Sequence, residues 1–268
     1  MPLNIVVCVK HTPATTSVSV DSATGKVKTA GLAYGLNPFD EYAVEEAVRL
    51  KERVPGSTAT ALTLGADSAD AALREAVSRG IDAAVLVAGP EFDGGDSYAT
   101  ARALAAAVQK LHAQKPVHLV LFGKNTNDGN SGMVGAMTAA WLNWPGVVSV
   151  KKIESVDEAS ASVWRAMEDG VETVKVKLPA AISTIKEINE PRLPSLKGKM
   201  AAKKAAVTKW GAADLGLKPE EVGAAGAATS VTRQSPPPSR PAGMKIEGAT
   251  AADKAKKLVD ILIERKII

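Results

Sequence analysis

Asn4-Ile-Val-Val-Cys-Val9 is the stretch on which the reading of the fold turns. It is a continuous apolar, β-branched run, which suits a strand buried on both faces, as the strands of a parallel sheet are. Runs of the same kind recur at Thr58 to Leu64, Ala83 to Val87 and His118 to Phe122. Helical patterns lie between them. One opens at Asn37-Pro38-Phe39-Asp40-Glu41, where Asn suits the N-cap, Pro the first helical position and two acids the first turn. Ala43, Val44, Ala47, Val48 and Leu50 follow it at helical spacing. A second runs from about 66 to 79 and stops at Gly80, a glycine just past the end. A long Ala-rich helix covers about 96–114, and another ends before Pro145. The polar stretch between the first strand and Gly31, with the turn Ser22-Ala-Thr-Gly25, reads as a hairpin or a loop over the sheet edge.

Strands separated by helices of this length call for right-handed crossovers, hence an α/β fold: an open, mainly parallel sheet with helices on both faces. From about 147 the character changes. Val147–Val150, Val163–Met167, Val171–Val176 and Ala181–Ile185 read as short strands of a small β extension, with a hairpin turn at Asp169-Gly170. From about 200 the pattern weakens. The Gly/Ala stretch from Gly223 and the run Ser235-Pro-Pro-Pro-Ser-Arg-Pro241 cannot pack a core, so an extended arm that orders against a partner is expected. An amphipathic helix over about 250–265 closes the chain.

Composition narrows the function. With 46% hydrophobic residues in 268, a sizeable core is available, and with 4% aromatics it must come from Val, Leu, Ile and Ala. No run of about 18 uncharged apolar residues marks a transmembrane helix, and Met1 to His11 lacks the pattern of a secretory leader. A lone Cys8 and three histidines without metal-ligand spacing complete the expectation of a cytoplasmic, metal-free protein. A net charge of +4 is too mild to argue for nucleic acid. The basic excess is local, at Lys197, Lys199, Lys203, Lys204 and Lys209 and again near the end, and reads as a solvated face or a dock for an acidic partner.

Ligands of open parallel sheets bind outside the carboxyl ends of the strands. There, after the fourth strand, stands Gly123-Lys-Asn-Thr-Asn-Asp-Gly-Asn-Ser-Gly132, small, polar and leading into a helix. Glycine permits close backbone approach and a helix N-terminus offers free N–H groups, so the loop can cradle a phosphate. It is neither a P-loop nor GxGxxG, and no nucleophile–base pair accompanies it. The residues alone therefore point to a nucleotide-binding α/β protein, with a nucleotidyl-transfer enzyme or hydrolase of similar architecture as the rival.

Five stretches go further together: Val9-Lys10; Asn37 to Ala47; Gly123-Lys124 with Asp128; Leu178-Pro-Ala180; and Ile188-Asn-Glu-Pro-Arg-Leu-Pro-Ser-Leu196 running into Met200-Ala-Ala-Lys-Lys204. In this order and spacing they resemble the beta subunit of bacterial electron-transfer flavoproteins, over nearly the whole chain. The resemblance implies a Rossmann-like domain over about 1–200, a recognition loop at about 188–204, and an arm and helix over 205–268 that wrap an alpha subunit. It implies an electron carrier without turnover of its own. FAD would be held mostly by the alpha subunit and AMP by this one. Electrons would come from acyl-CoA or related dehydrogenases and pass towards a quinone oxidoreductase of the membrane, with this chain not inserted in the membrane.

Carried over residue by residue, the resemblance puts Cys8 beneath the adenine, and Asn37 and Leu64 at the nucleotide. It puts the phosphate loop from Gly123 through Asn127, Asp128, Gly129, Asn130, Ser131, Gly132, Met133 and Val134. The resemblance also implies that Phe39 lies near the flavin and that Leu196, with Pro194 and Arg192 beside it, anchors the dehydrogenase. The sequence departs from the common pattern in three places, one being Ala14-Thr15-Thr16, where some members carry a tyrosine after the first strand. The run Asp128 to Gly135 is closer to the loop of electron-bifurcating members, which hold a second FAD in place of AMP, and a flavin-domain clamp glutamate falls on Ala166.

Overall fold

A computed structural model describes residues 1–15, 17–21, 24–236, 238 and 242–268. The Ser22–Gly25 turn, Thr16 and the end of the Pro-rich run fall partly or wholly outside the described residues. The chain runs β1 (Asn4–Cys8), β2 (His11–Pro13), β3 (Tyr34–Leu36), α1 (Pro38–Arg53), β4 (Thr58–Leu64), α2 (Asp70–Ser78), β5 (Ala83–Val87), α3 (Ser97–Gln114) and β6 (Leu119–Gly123). It continues through α4 (Val134–Leu142), β7 (Gly146–Val156), β8 (Ser160–Met167), β9 (Gly170–Lys177), β10 (Ala180–Thr184), α5 (Leu196–Lys204), β11 (Val207–Trp210), a short α6 (Gly223–Gly226) and α7 (Ala251–Glu264).

Nine strands form one sheet in the order β11-β5-β4-β1-β6-β10-β7-β8-β9. Neighbours from β11 to β7 pair in parallel, and β8 and β9 add an antiparallel extension. The α/β fold with a mainly parallel sheet is as the sequence indicates. Alternation along β1 shows why both faces are covered. Ile5 and Val7 pack with α1 and α2, while Val6 and Cys8 pack on the opposite face with α3 and the end of α4. Burying both faces removes every residue of β1 from solvent.

The stretch after β1 does form a hairpin-like layer, with β2 and β3 antiparallel in a separate two-stranded sheet. Beyond about 200 the sequence pattern understates the order. β11 joins the sheet edge beside β5, Ala212 and Val222 are buried, and Leu215 and Leu217 pack against the α3 side of the core. Packing on this chain's own domain therefore reaches past residue 205, where the arm was expected to begin. Thr250 caps α7 from a reciprocal pair with Asp253, and α7 buries no residue. Among the described residues no helix is long and apolar enough to cross a membrane.

Candidate functional site

The strand order reverses at β1. The chain steps from β1 to β4 to β5 on one side, then crosses back to place β6 on the other. The loops leaving the carboxyl ends of β1 and β6 therefore run to opposite faces of the sheet and flank a gap. A cleft of about 430 Å³ opens there. Its floor is the ends of β1, β4 and β6, one wall is the start of α3, and the other is the loop 123–135 leading into α4. The aliphatic side is Leu64 and Leu104, with Phe122 beneath. Two helix N-termini meet the cleft, which favours a negatively charged ligand.

Asp40 organises the floor. It sits in the first turn of α1, fully buried, and its Oδ2 accepts the N–H of Lys10 at 2.8 Å. The end of β6 closes on the same carboxylate at Gly123, so Asp40 lies where the ends of β1 and β6 meet. A methyl group on Gly123 would collide with that carboxylate and lie 2.6 Å from the Phe39 carbonyl carbon, so only glycine lets β6 approach α1 this closely. Burial pushes Asp40 up to about 7 against the hydrogen bonds that hold it down. Because that value is raised, the group stabilises the fold below its unfolded value near 3.8, and the contribution is lost as pH rises to about 7, at about 1.4 kcal/mol per pH unit. Asp40→Asn is expected to flatten this slope. Denaturation midpoints of both proteins between pH 4.5 and 8 check it, and parallel curves would contradict it.

Asn37 precedes α1, yet its side chain does not cap the helix. It is fully buried and reaches instead to the phosphate loop, donating from Nδ2 to the Asn125 carbonyl at 2.8 Å while Oδ1 accepts from Asn127 N at 3.3 Å. The capping expectation is thus corrected. A long-range donor, Asn127 N–H, takes the oxygen that a cap would offer to the helix, and the loop gains a brace from behind. Asn127 continues it, donating from Nδ2 to the Pro13 carbonyl at 2.8 Å and leaving Oδ1 buried with no partner among the described residues.

The residues expected at a nucleotide separate into two groups. Cys8, Leu64, Gly123, Gly129, Ser131, Gly132, Met133 and Val134 line the cleft. Asn37, Phe39, Asn127, Asp128 and Asn130 do not, standing beside or behind it. Asp128 turns to Lys10, whose Nζ reaches both carboxylate oxygens at 2.9 and 2.7 Å. Partial burial works against its charge, but Lys10 holds its carboxyl below the usual range. Asn130 takes a left-handed backbone and binds the side chain of Asn125. Burial, with Asp40 nearby, pushes the Cys8 thiol well up, so it stands in the floor as a neutral group.

The other wall was not read from the sequence. Asp96 caps α3 by accepting from Tyr98 N and Ala99 N, each at 3.0 Å, and its second oxygen accepts from Ala228 N, Thr229 N and the Thr229 hydroxyl. Ser97 Oγ donates to Ser131 Oγ at 3.1 Å, joining the two walls. The signal was present in Asp93-Gly-Gly-Asp-Ser97, a glycine pair and a capping acid at a βα junction. Away from the cleft, Leu196 is the first residue of α5 and 78% exposed, with Ser195 capping the helix. Pro194 precedes that cap. Arg192 does not stand free for a partner, being ion-paired with Glu45 and Glu52 of α1.

The electron transfer flavoprotein domain matches residues 24–215. The chain is 38% identical over 266 residues to a caffeyl-CoA reductase–Etf complex subunit, CarD, of Acetobacterium woodii, covering 99% of this chain and 100% of that one. It is 37% identical to an electron transfer flavoprotein subunit beta of Thermoanaerobacterium thermosaccharolyticum, covering 99% and 100%. It is 36% identical to the subunit of that name in Mycobacterium tuberculosis, covering 99% of both. A switch-point cleft between two helix N-termini, on a sheet matched end to end by such relatives, leaves one conclusion: the chain belongs to the electron transfer flavoprotein family, as a beta subunit.

Proposed function

We propose that this chain holds AMP in the switch-point cleft and docks dehydrogenases, within a heterodimer whose alpha subunit carries most of the FAD. The observation that carries the reading is the cleft itself. About 430 Å³ lies at the lower end of ligand pockets, which run from about 300 to 1,000 Å³, and so suits a mononucleotide. The donor set fits as well. The first N–H groups of α4 have no partner within the helix, and Ser131 adds a hydroxyl for a phosphate. Leu64, Leu104 and Phe122 offer an apolar slot for a base. Gly135 at the start of α4 lies against the Phe122 ring, where a methyl would come within 3.2 Å, which brings the helix N-terminus over the cleft. AMP supplies no redox chemistry when bound. The residues around it hold the two walls at a fixed separation, and FAD held by the alpha subunit would supply the chemistry by which electrons are carried. Those electrons come from acyl-CoA or related dehydrogenases and leave for a quinone oxidoreductase of the membrane.

A second FAD in the same cleft is the second reading. A depression of about 420 Å³ lies across the phosphate loop and shares Lys124, Asn125, Ser131, Gly132 and Met133 with the first. A dinucleotide could straddle the loop, and the run from Asp128 to Gly135 resembles bifurcating members. Denaturing the purified heterodimer and separating the released nucleotides decides between them. One FAD and one AMP are expected per heterodimer. Two FAD without AMP would establish the second reading.

A further inference from the structure

Residues 189–205 lie on α1 and α2 and are clamped to them at three points. At the first, the Arg192 guanidinium meets Glu45 through Nε at 2.8 Å and Nη2 at 3.0 Å, and Glu52 at 2.6 and 2.9 Å. Its own backbone N–H also donates to Glu45, at 3.1 Å. Two fork-like pairs on one planar cation fix its orientation as well as its place. The Glu45 side chain is 7% exposed. Beside it, buried Arg79 pairs with Glu41 and Glu75 and donates to the Arg192 carbonyl at 3.4 Å. Asn189 donates to the Tyr42 carbonyl and to Glu46. At the second point, Gly198 lies against the Ser78 carbonyl, where any side chain would collide. At the third, Arg74 closes α5 by donating to the Ala202 carbonyl at 2.6 Å, a cation at a helix C-terminus.

What this clamp leaves outside is apolar. Leu193 is 88% exposed, Leu196 78% and Met200 57%, with exposed Lys197, Lys199 and Lys203 interleaved in the same segment. Three large aliphatic side chains held in water on an arginine-locked segment are placed for contact rather than for the chain's own core. We propose that Arg192 is a positioning residue: through Glu45 and Glu52 it holds Leu193, Leu196 and Met200 as a preformed apolar ridge onto which the dehydrogenase docks. This rests on the dehydrogenase-docking reading above. A segment already ordered loses less conformational freedom on docking, so the clamp acts on affinity and leaves the transfer step alone.

The test uses the intact heterodimer with an acyl-CoA dehydrogenase and its acyl-CoA as electron source. Arg192→Ala and Glu45→Gln are each expected to raise the KM for the heterodimer about tenfold with kcat unchanged, since about 1.4 kcal/mol corresponds to tenfold. Amide exchange within 189–204 speeds up, nucleotide content stays at the wild-type level, and the double variant is no worse than either single one. Arg192→Lys recovers part of the loss. Glu52→Gln gives the milder form of the same effects should Arg192→Ala not assemble. Unchanged exchange and KM overturn the proposal. So does a raised KM with unchanged exchange, because Arg192 would then be meeting the partner itself. Failure of the wild type to accept electrons from that dehydrogenase overturns the docking reading and with it the ridge's role, while the exchange arm still reports whether the clamp holds the segment.

Discussion

Gly123→Ala is expected to destabilise the domain by about 3 kcal/mol and to strip the heterodimer of the nucleotide in its cleft. The added methyl has nowhere to go. It meets the Asp40 carboxylate and the Phe39 carbonyl, and the Phe39 contact is backbone at the start of α1, so no side-chain rotation relieves it. Relief requires β6 to move away from α1 and from the Asp40 carboxylate that holds Lys10 N–H. The ends of β1 and β6 then part, and the cleft floor with them. Gly35→Ala is the control. It lies outside the cleft, and a methyl there finds only Glu75 Oε2, at an ordinary 3.9 Å, so nucleotide content should match the wild type. Released nucleotide per heterodimer measures both. A full complement in Gly123→Ala would show that the close approach is not required.

Ending the chain after Thr229 is expected to abolish the heterodimer while leaving the α/β domain folded. Up to Thr229 the chain is anchored to its own domain through Asp96, and Val222 is fully buried. Past it, Val231, Met244, Leu258, Val259 and Ile263 are all exposed, and α7 buries nothing. A helix with Leu258, Ile261, Leu262 and Ile263 on a Lys-rich frame gains stability only from a surface it can cover. Ending the chain after Ala212 instead should damage the domain itself, because loss of Val222 alone removes a burial worth about 1.5–3 kcal/mol. Size-exclusion chromatography with the alpha subunit and a thermal melt separate the two. A heterodimer of wild-type strength from the shorter chain would refute the arm's role.

The parallel core was legible because its strands announce themselves. Asn4–Cys8, Thr58–Leu64 and Ala83–Val87 are apolar, β-branched and fenced by turn residues. β11 was not legible. Val207–Trp210 is short, and its two middle residues, Thr208 and Lys209, are exposed. It is a strand only because β5 lies beside it, more than a hundred residues earlier in the chain. The phosphate loop was found from its composition, but the sense of its parts was not. Nothing local says that Asp128 faces Lys10 rather than a ligand, or that Asn37 braces a loop 88 positions away rather than capping its own helix. Arg192 shows the same limit. Its place beside Leu196 suggested a partner contact, whereas its partners are two glutamates one helix away. Propensity rules see neighbours along the chain, and these side chains answer to neighbours across it.

The antiparallel extension finishes the sheet at β9, a strand paired on one side only. An open strand edge is a template on which further copies can stack into aggregates. β9 carries Glu172, Lys175 and Lys177, with all but two of its residues exposed. A second copy adding itself there would have to desolvate those charges or set like against like. Among the described residues this is the longer edge of the sheet, and its charges keep it from serving as such a template. That protection comes from the same hairpin that widens the sheet beyond the nucleotide-binding core.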